Sequence, residues 1–154
     1  MRPLLVLLGT FVLSLFAIRL LSGDWDIPFA GNIGMSGMLL FTALGHFVYT
    51  KGMEMMVPSF IPFKKALVYL TGIIEIVAAI GLLVGSFHLI TAMLLILFFI
   101  LVVPCNIYAA IKKVDYRRGQ YTGPGTSYLW LRVPLQFIFI AWVYVFNIDA
   151  FSIT

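Results

Sequence analysis

Apolar residues run in five long blocks separated by short polar or basic breaks: Pro3 to Leu21, Ile33 to Tyr49, Ala66 to Gly85, His88 to Ile111 and Tyr128 to Phe146. Each approaches the roughly 20 residues that a helix rising about 1.5 Å per residue needs to cross a hydrocarbon core. An isolated strand leaves its backbone polar groups unpaired in lipid, so all five blocks are read as helices. The pattern predicts an all-α fold: a polytopic membrane helix bundle of five transmembrane helices, forming a single membrane domain over residues 1–154.

Threading the blocks in order places Arg2, Lys51, Lys64, Lys65, Lys112, Lys113, Arg117 and Arg118 on one side and Asp24, Asp26 and Asp149 on the other, with only Arg19 near those acids. The positive-inside rule then puts the N-terminus in the cytoplasm and the C-terminus outside. Trp25, Trp130 and Trp142, with Tyr49, Tyr128 and Tyr144, fall near block ends, where an interfacial aromatic belt is expected. The first block is longer than a secretory h-region and no small-x-small cleavage site precedes Asp24, so it reads as a retained helix.

Composition agrees: 62% hydrophobic and 10% charged residues exclude an ordinary soluble domain. The net charge of +4 belongs to the cytoplasmic loops and does not call for nucleic acid. No segment between blocks is long enough for an extramembrane domain, so function is expected within the bundle, at its mouths or against a partner.

In the third block Thr71, Gly72, Glu75, Ala78, Ala79, Leu82 and Gly85 share a helical stripe, which predicts that this helix is central. Gly81 and Gly85 form a GxxxG pair suited to close helix contact, within the chain or with a second copy. Gly31, Gly34 and Gly37 are expected to weaken the first turns of the second helix, and Pro104 to kink the fourth or free a carbonyl there. Pro134 does similar work near the start of the fifth. The loop KGMEMMVPSFIPFKK, residues 51–65, is too apolar for a solvated turn and too short for a span. It reads as an interfacial cytoplasmic loop or as a methionine-lined lid on a hydrophobic site.

Glu75 is the only acidic residue inside any block. An ionisable group near the bilayer centre costs at least ~2.5 kcal/mol and so demands a partner or a function. His46, Asn106, Arg132 and Gln136 lie at comparable depth on three other blocks, with Tyr69 and Tyr108 nearby. The simplest arrangement turns these groups toward one another, with Glu75 paired to His46 or Arg132 and the two amides completing a network. Two readings stay open: a satisfied polar core that sets helix register, and a ligand cavity open toward the cytoplasmic leaflet. A His–Glu pair there suits proton-coupled quinone chemistry or hydrogen bonding to a lipid-like ligand. His88 falls at the other end of the bundle, so no metal site is expected. Cys105 is the only cysteine, which excludes intramolecular dithiol chemistry and leaves a small core residue as its ordinary role.

The run FTALGHFVYTKGMEMMVPSFIPFKKALVYLTGIIEIVAAIGLL, followed by VVPCNIYAA and YLWLRVPLQFIFIAWVY, resembles the DoxX-like family of small bacterial integral membrane proteins. The matching motifs are Gly45, His46 and Phe47; Pro58 and Pro62; Thr71, Gly72 and Glu75; Pro104 and Asn106; Leu135 and Gln136. The resemblance covers residues 33–148 and implies a four-helix core to which residues 3–21 add one N-terminal span. Cys105 departs from it, standing where alanine is more familiar. It further implies a bacterial inner-membrane location and an association with redox metabolism, since one relative is a subunit of thiosulfate:quinone oxidoreductase.

The leading expectation is therefore a membrane protein that binds a quinone or lipid in a polar-lined cavity, with no other cofactor, in contact with membrane lipid and a membrane or cytoplasmic redox protein. Whether it catalyses a reaction stays open. The alternative is a non-catalytic assembly subunit or chaperone for another membrane protein. A transporter is a weaker third reading, because five spans show no inverted repeat and a homo-oligomer would have to supply the missing half.

Overall fold

The computed structural model describes residues 2–149. Its helices are α1 (Arg2–Ser22), α2 (Ile27–Val48), α3 (Thr50–Glu54), α4 (Lys64–Gly81), α5 (His88–Ile111) and α6 (Leu129–Tyr144). A 3₁₀ turn at Gly125–Tyr128 leads into α6, and a π-helical turn at Val145–Asp149 ends it. The described residues form no strand beyond an isolated antiparallel bridge between Asp115 and Gln120.

Among the described residues, four helical stretches are long and apolar enough to cross a membrane: α1, α2, α5 and Gly125–Asp149, which contains α6. That is the build of a membrane protein, and the side chains facing outward agree: Leu13 is 73% exposed, Leu20 85% and Leu101 64%. The stretch corresponding to the third block, α4, has 18 residues and carries Lys64, Lys65 and Glu75, and it is not among the four.

α2 starts at Ile27 rather than at Ile33 because Asp26 caps it: the Asp26 carboxylate accepts the Phe29 amide at 3.0 Å, and Pro28 occupies the first turn. Gly31, Gly34 and Gly37 therefore sit well inside the helix, and their lack of a side chain serves packing. A Cβ on Gly34 would stand 2.9 Å from Phe11 Cβ, so α1 reaches α2 only because the residue is glycine. Two hydroxyls on α1 fix that contact, Thr10 donating to the Gly34 carbonyl at 3.2 Å and Ser14 to the Ala30 carbonyl at 3.2 Å.

The central helix is α2, contrary to the expectation for the third block. Half of its apolar stretch (50%) is buried, against 11% for α1, and it packs against α1, α4, α6 and the terminal π turn. The stripe on α4 is real, with Gly72, Glu75, Ala78 and Ala79 all buried, but it is one wall of the bundle and not its axis. The core is built from Met35, Met38 and Leu39 of α2, Ala79 of α4, Leu95 and Phe99 of α5 and Phe139 and Val143 of α6. α1 adds Leu7, which is wholly buried. Gly81 packs against Thr91 of α5 within the chain, and Gly85 falls in the turn after α4 with nothing near it, so the GxxxG pair does not form one helix face.

Trp25 and Trp130 lie exposed at helix ends, 51% and 87%, as an aromatic belt requires. Trp142 does not. Its indole donates to the Gly31 carbonyl at 3.0 Å and packs edge-on against Phe11, pinning α6 to α2 and α1. The side chain of Tyr128 lies outside the described residues.

Candidate functional site

At the end of the bundle that carries Arg2, Lys64 and Arg132, the helices leave a cavity of about 330 Å³. Its walls are mostly apolar, from Met38, Phe41, Phe99, Val102, Leu135 and Phe139. Into it come His46 from α2, Glu75 from α4, Asn106 from α5 and Arg132 and Gln136 from α6. Tyr69 and Tyr108 are not part of its lining: Tyr69 stacks on Phe47 with centroids 5.7 Å apart, and Tyr108 lies 6.0 Å under the Lys112 ammonium.

Helical spacing sets up the deep end. On α4, Val68, Thr71, Gly72 and Glu75 follow at intervals of three and four and so share a face. Gly72 brings that face against α2, since a Cβ there would stand 2.9 Å from His46 Cβ. The approach lets the imidazole lie along the α4 backbone, with Nδ1 3.1 Å from the Val68 carbonyl and 3.0 Å from Thr71 Oγ1, while Thr71 itself donates to Val68 at 2.9 Å. A carbonyl only accepts, so Nδ1 carries a proton. The other nitrogen, Nε2, then faces Glu75 Oε2 at 3.6 Å.

His46 and Glu75 form a pair across α2 and α4 at the deep end of the cavity. At 3.6 Å it is an ion-pair contact and not a hydrogen bond. Oε2 is buried and has no hydrogen-bond partner among the described residues, although Glu75 as a whole is only 7% exposed. An acceptor buried without a hydrogen bond costs about 1–3 kcal/mol, more if charged, so a residue in the cavity lining keeps an unmet hydrogen-bonding demand.

The other polar residues are better satisfied. Arg132 Nη1 donates to Asn106 Oδ1 at 2.8 Å, tying α6 to α5. Gln136 donates to the Phe99 carbonyl at 2.8 Å, one residue before the Ile100 carbonyl for which Pro104 has no amide to offer. Gln136 thus ties α6 to α5 just ahead of Pro104, and Cys105, the residue after that proline, lines the cavity half-buried.

The loop 51–65 divides its side chains. Met53, Met56 and Val57 line the cavity, while Phe60 and Phe63 are each 83% exposed and point away from it. Lys64 holds the fold-back by donating to the Val57 carbonyl at 3.0 Å.

Residues the sequence did not single out complete the mouth. α5 ends in a Schellman motif, with Lys113 left-handed at φ 52° and the Val114 amide bonded to the Ala109 carbonyl at 2.8 Å. The chain is thereby turned back so that the Tyr116 carbonyl rests against Gly52 of α3, where any side chain would collide with it. Tyr116 packs edge-on against Tyr49 at 5.9 Å, and the guanidinium groups of Arg117 and Arg132 stand 5.8 and 5.9 Å from its ring. Its neighbours in the lining are Arg2 and Pro3 of α1. The signal for the loop was its charge; its folding over the mouth depends on the left-handed Lys113, which nothing in the local sequence marks.

No group of three or more His, Cys, Asp or Glu residues stands where it could hold a metal ion among the described residues. Comparison with curated proteins and with solved structures finds no match. One family model matches residues 35–147, from the third turn of α2 to the terminal π turn, and so takes in all the helices around the cavity except α1. The chain belongs to the family described as a domain of unknown function, DUF8561.

Proposed function

We propose that this protein binds a hydrophobic small molecule, a quinone or a lipid, in the cavity between α2, α4, α5 and α6. The observation that carries the reading is Glu75: a buried carboxylate with an unpartnered oxygen, beside an imidazole whose orientation is fixed from behind, at the wall of an otherwise apolar chamber. A paired structural network would leave neither the space nor the unmet acceptor. About 330 Å³ lies at the lower end of the range for small-ligand sites and fits a ring or the upper part of an acyl chain. Glu75 would accept a hydrogen bond from a hydroxyl group of the ligand.

The resemblance to DoxX-like proteins supports a link to redox metabolism in a bacterial inner membrane, with His46, Glu75, Asn106 and Gln136 on the matching motifs. In this reading α4 crosses the membrane as a fifth span. Lys64 and Lys65 sit at its end, where long side chains reach the interface, and Glu75 is turned inward. The basic end faces the cytoplasm.

Organic extraction of gently purified protein, followed by mass spectrometry, tests the proposal. Wild type is expected to yield one quinone or lipid species in excess over bulk lipid, and Glu75→Gln to lose it. Bulk lipid alone from both proteins would overturn the proposal and favour the assembly-subunit reading.

A further inference from the structure

A second cavity of about 400 Å³ adjoins the first, sharing Arg2, Met56, Asn106, Tyr116, Arg117 and Arg132 with it. The shared residues form a neck. Beyond the neck on one side lies the apolar chamber that ends at Glu75; on the other lies a vestibule roofed by the folded-back loop and the Pro124–Gly125 turn.

The neck is strongly polarised. Three guanidinium groups, on α1, the loop and α6, line both cavities, and Asp115 is the only carboxylate lining the second. That carboxylate is occupied within its own loop, accepting the amides of Arg117 and Arg118 at 3.1 and 3.3 Å and lying 3.8 Å from Arg118 Nε. Arg132 is positioned by Asn106 at 2.8 Å, and Arg117 Nε donates to the Tyr116 hydroxyl at 3.3 Å. Guanidinium forks at this density recognise oxyanions, whereas a neutral quinone ring offers them only carbonyl oxygens.

We infer that the ligand is an anionic amphiphile, its oxyanion head held at the neck by Arg2, Arg117 and Arg132 and its hydrocarbon chain lying in the chamber past Cys105 toward Phe139. The inference rests on the binding function proposed above and names the ligand's class. It also explains α1: the helix outside the family match delivers Arg2 to the neck and anchors itself through Leu7.

Cys105 is the only cysteine and lies in the chamber wall, so its alkylation reports on the chain and not on the head. The full chain in phosphatidylcholine nanodiscs is treated with N-ethylmaleimide alone or with dodecyl phosphate, dodecanol, decylubiquinone or inorganic phosphate. Native mass spectrometry of the same samples counts retained probe, so a sluggish thiol does not blind the experiment. Dodecyl phosphate is expected to slow alkylation and to be retained, with about tenfold weaker binding in Arg2→Gln/Arg117→Gln, on the scale of lost charge-assisted hydrogen bonds. Lys65→Gln, which removes an exposed cation outside both cavities, is expected to change nothing.

Equal binding of dodecanol or preferential binding of decylubiquinone would overturn the anionic head while leaving the cavity as a ligand site. Protection by inorganic phosphate alone would overturn the amphiphile. Binding of dodecyl phosphate that ignores the double substitution would move the head elsewhere and overturn the assignment of the neck.

Discussion

Glu75 separates a binding site from a structural core, because the two readings give its substitutions opposite signs. If the carboxyl group were a satisfied member of a network, Glu75→Leu would strand His46 and destabilise the fold. Oε2 has no hydrogen bond and only an ion-pair contact with His46 at 3.6 Å, while His46 keeps its contacts with Val68 and Thr71, so removal of the carboxyl group relieves a buried penalty. Glu75→Leu is therefore expected to leave stability unchanged or raise it by up to ~2 kcal/mol, measured by thermal or SDS unfolding in micelles, while abolishing ligand retention. Thr71→Val is milder: it keeps the shape and removes the hydroxyl that helps orient His46 Nδ1. Loss of one neutral hydrogen bond, about 1 kcal/mol, corresponds to roughly fivefold weaker retention of the extracted ligand with little change in unfolding.

Among the elements, the glycines show how position decides consequence. Gly72 stands where α4 and His46 of α2 meet, and Gly85 in open space. Gly72→Val is expected to cost about 1–3 kcal/mol and to displace His46, whereas Gly85→Ala should stay within about 0.5 kcal/mol; parallel unfolding curves check both. The same elements mark what the sequence made legible. Hydropathy located the helices, since the apolar runs are long, and the depth count brought His46, Glu75, Asn106, Arg132 and Gln136 to one level, since helical rise is fixed. It misplaced the start of α2, because glycine spacing was taken as helix weakness where it is contact with α1, and the Asp26 cap lies outside the apolar run. Tyr69 and Tyr108 share the depth but not the direction, which depends on rotation about each helix and so on packing. The neck escaped notice because Arg2 and Arg117 are distant in sequence and look like ordinary topology charges.

For the molecule as a whole, the proposed orientation rests on the positive-inside rule applied to charges that include those of the neck. In a Cys105→Ala background, Arg118→Cys is expected to react with a membrane-impermeant maleimide only from the cytoplasmic side and Ser22→Cys only from the outside, which checks the odd number of crossings between them, by α2, α4 and α5. Both positions are exposed. α1, α2, α4, α5 and α6 then converge on one cavity with apolar depth and a basic mouth. The most direct test of that account is an experimental structure of the wild-type chain in nanodiscs of native lipid, resolved well enough to show non-protein density. The account predicts density between Glu75 and Phe139 that continues to the Arg2–Arg117–Arg132 neck. A chamber closed by its own side chains, with Glu75 and His46 at hydrogen-bonding distance, would contradict it.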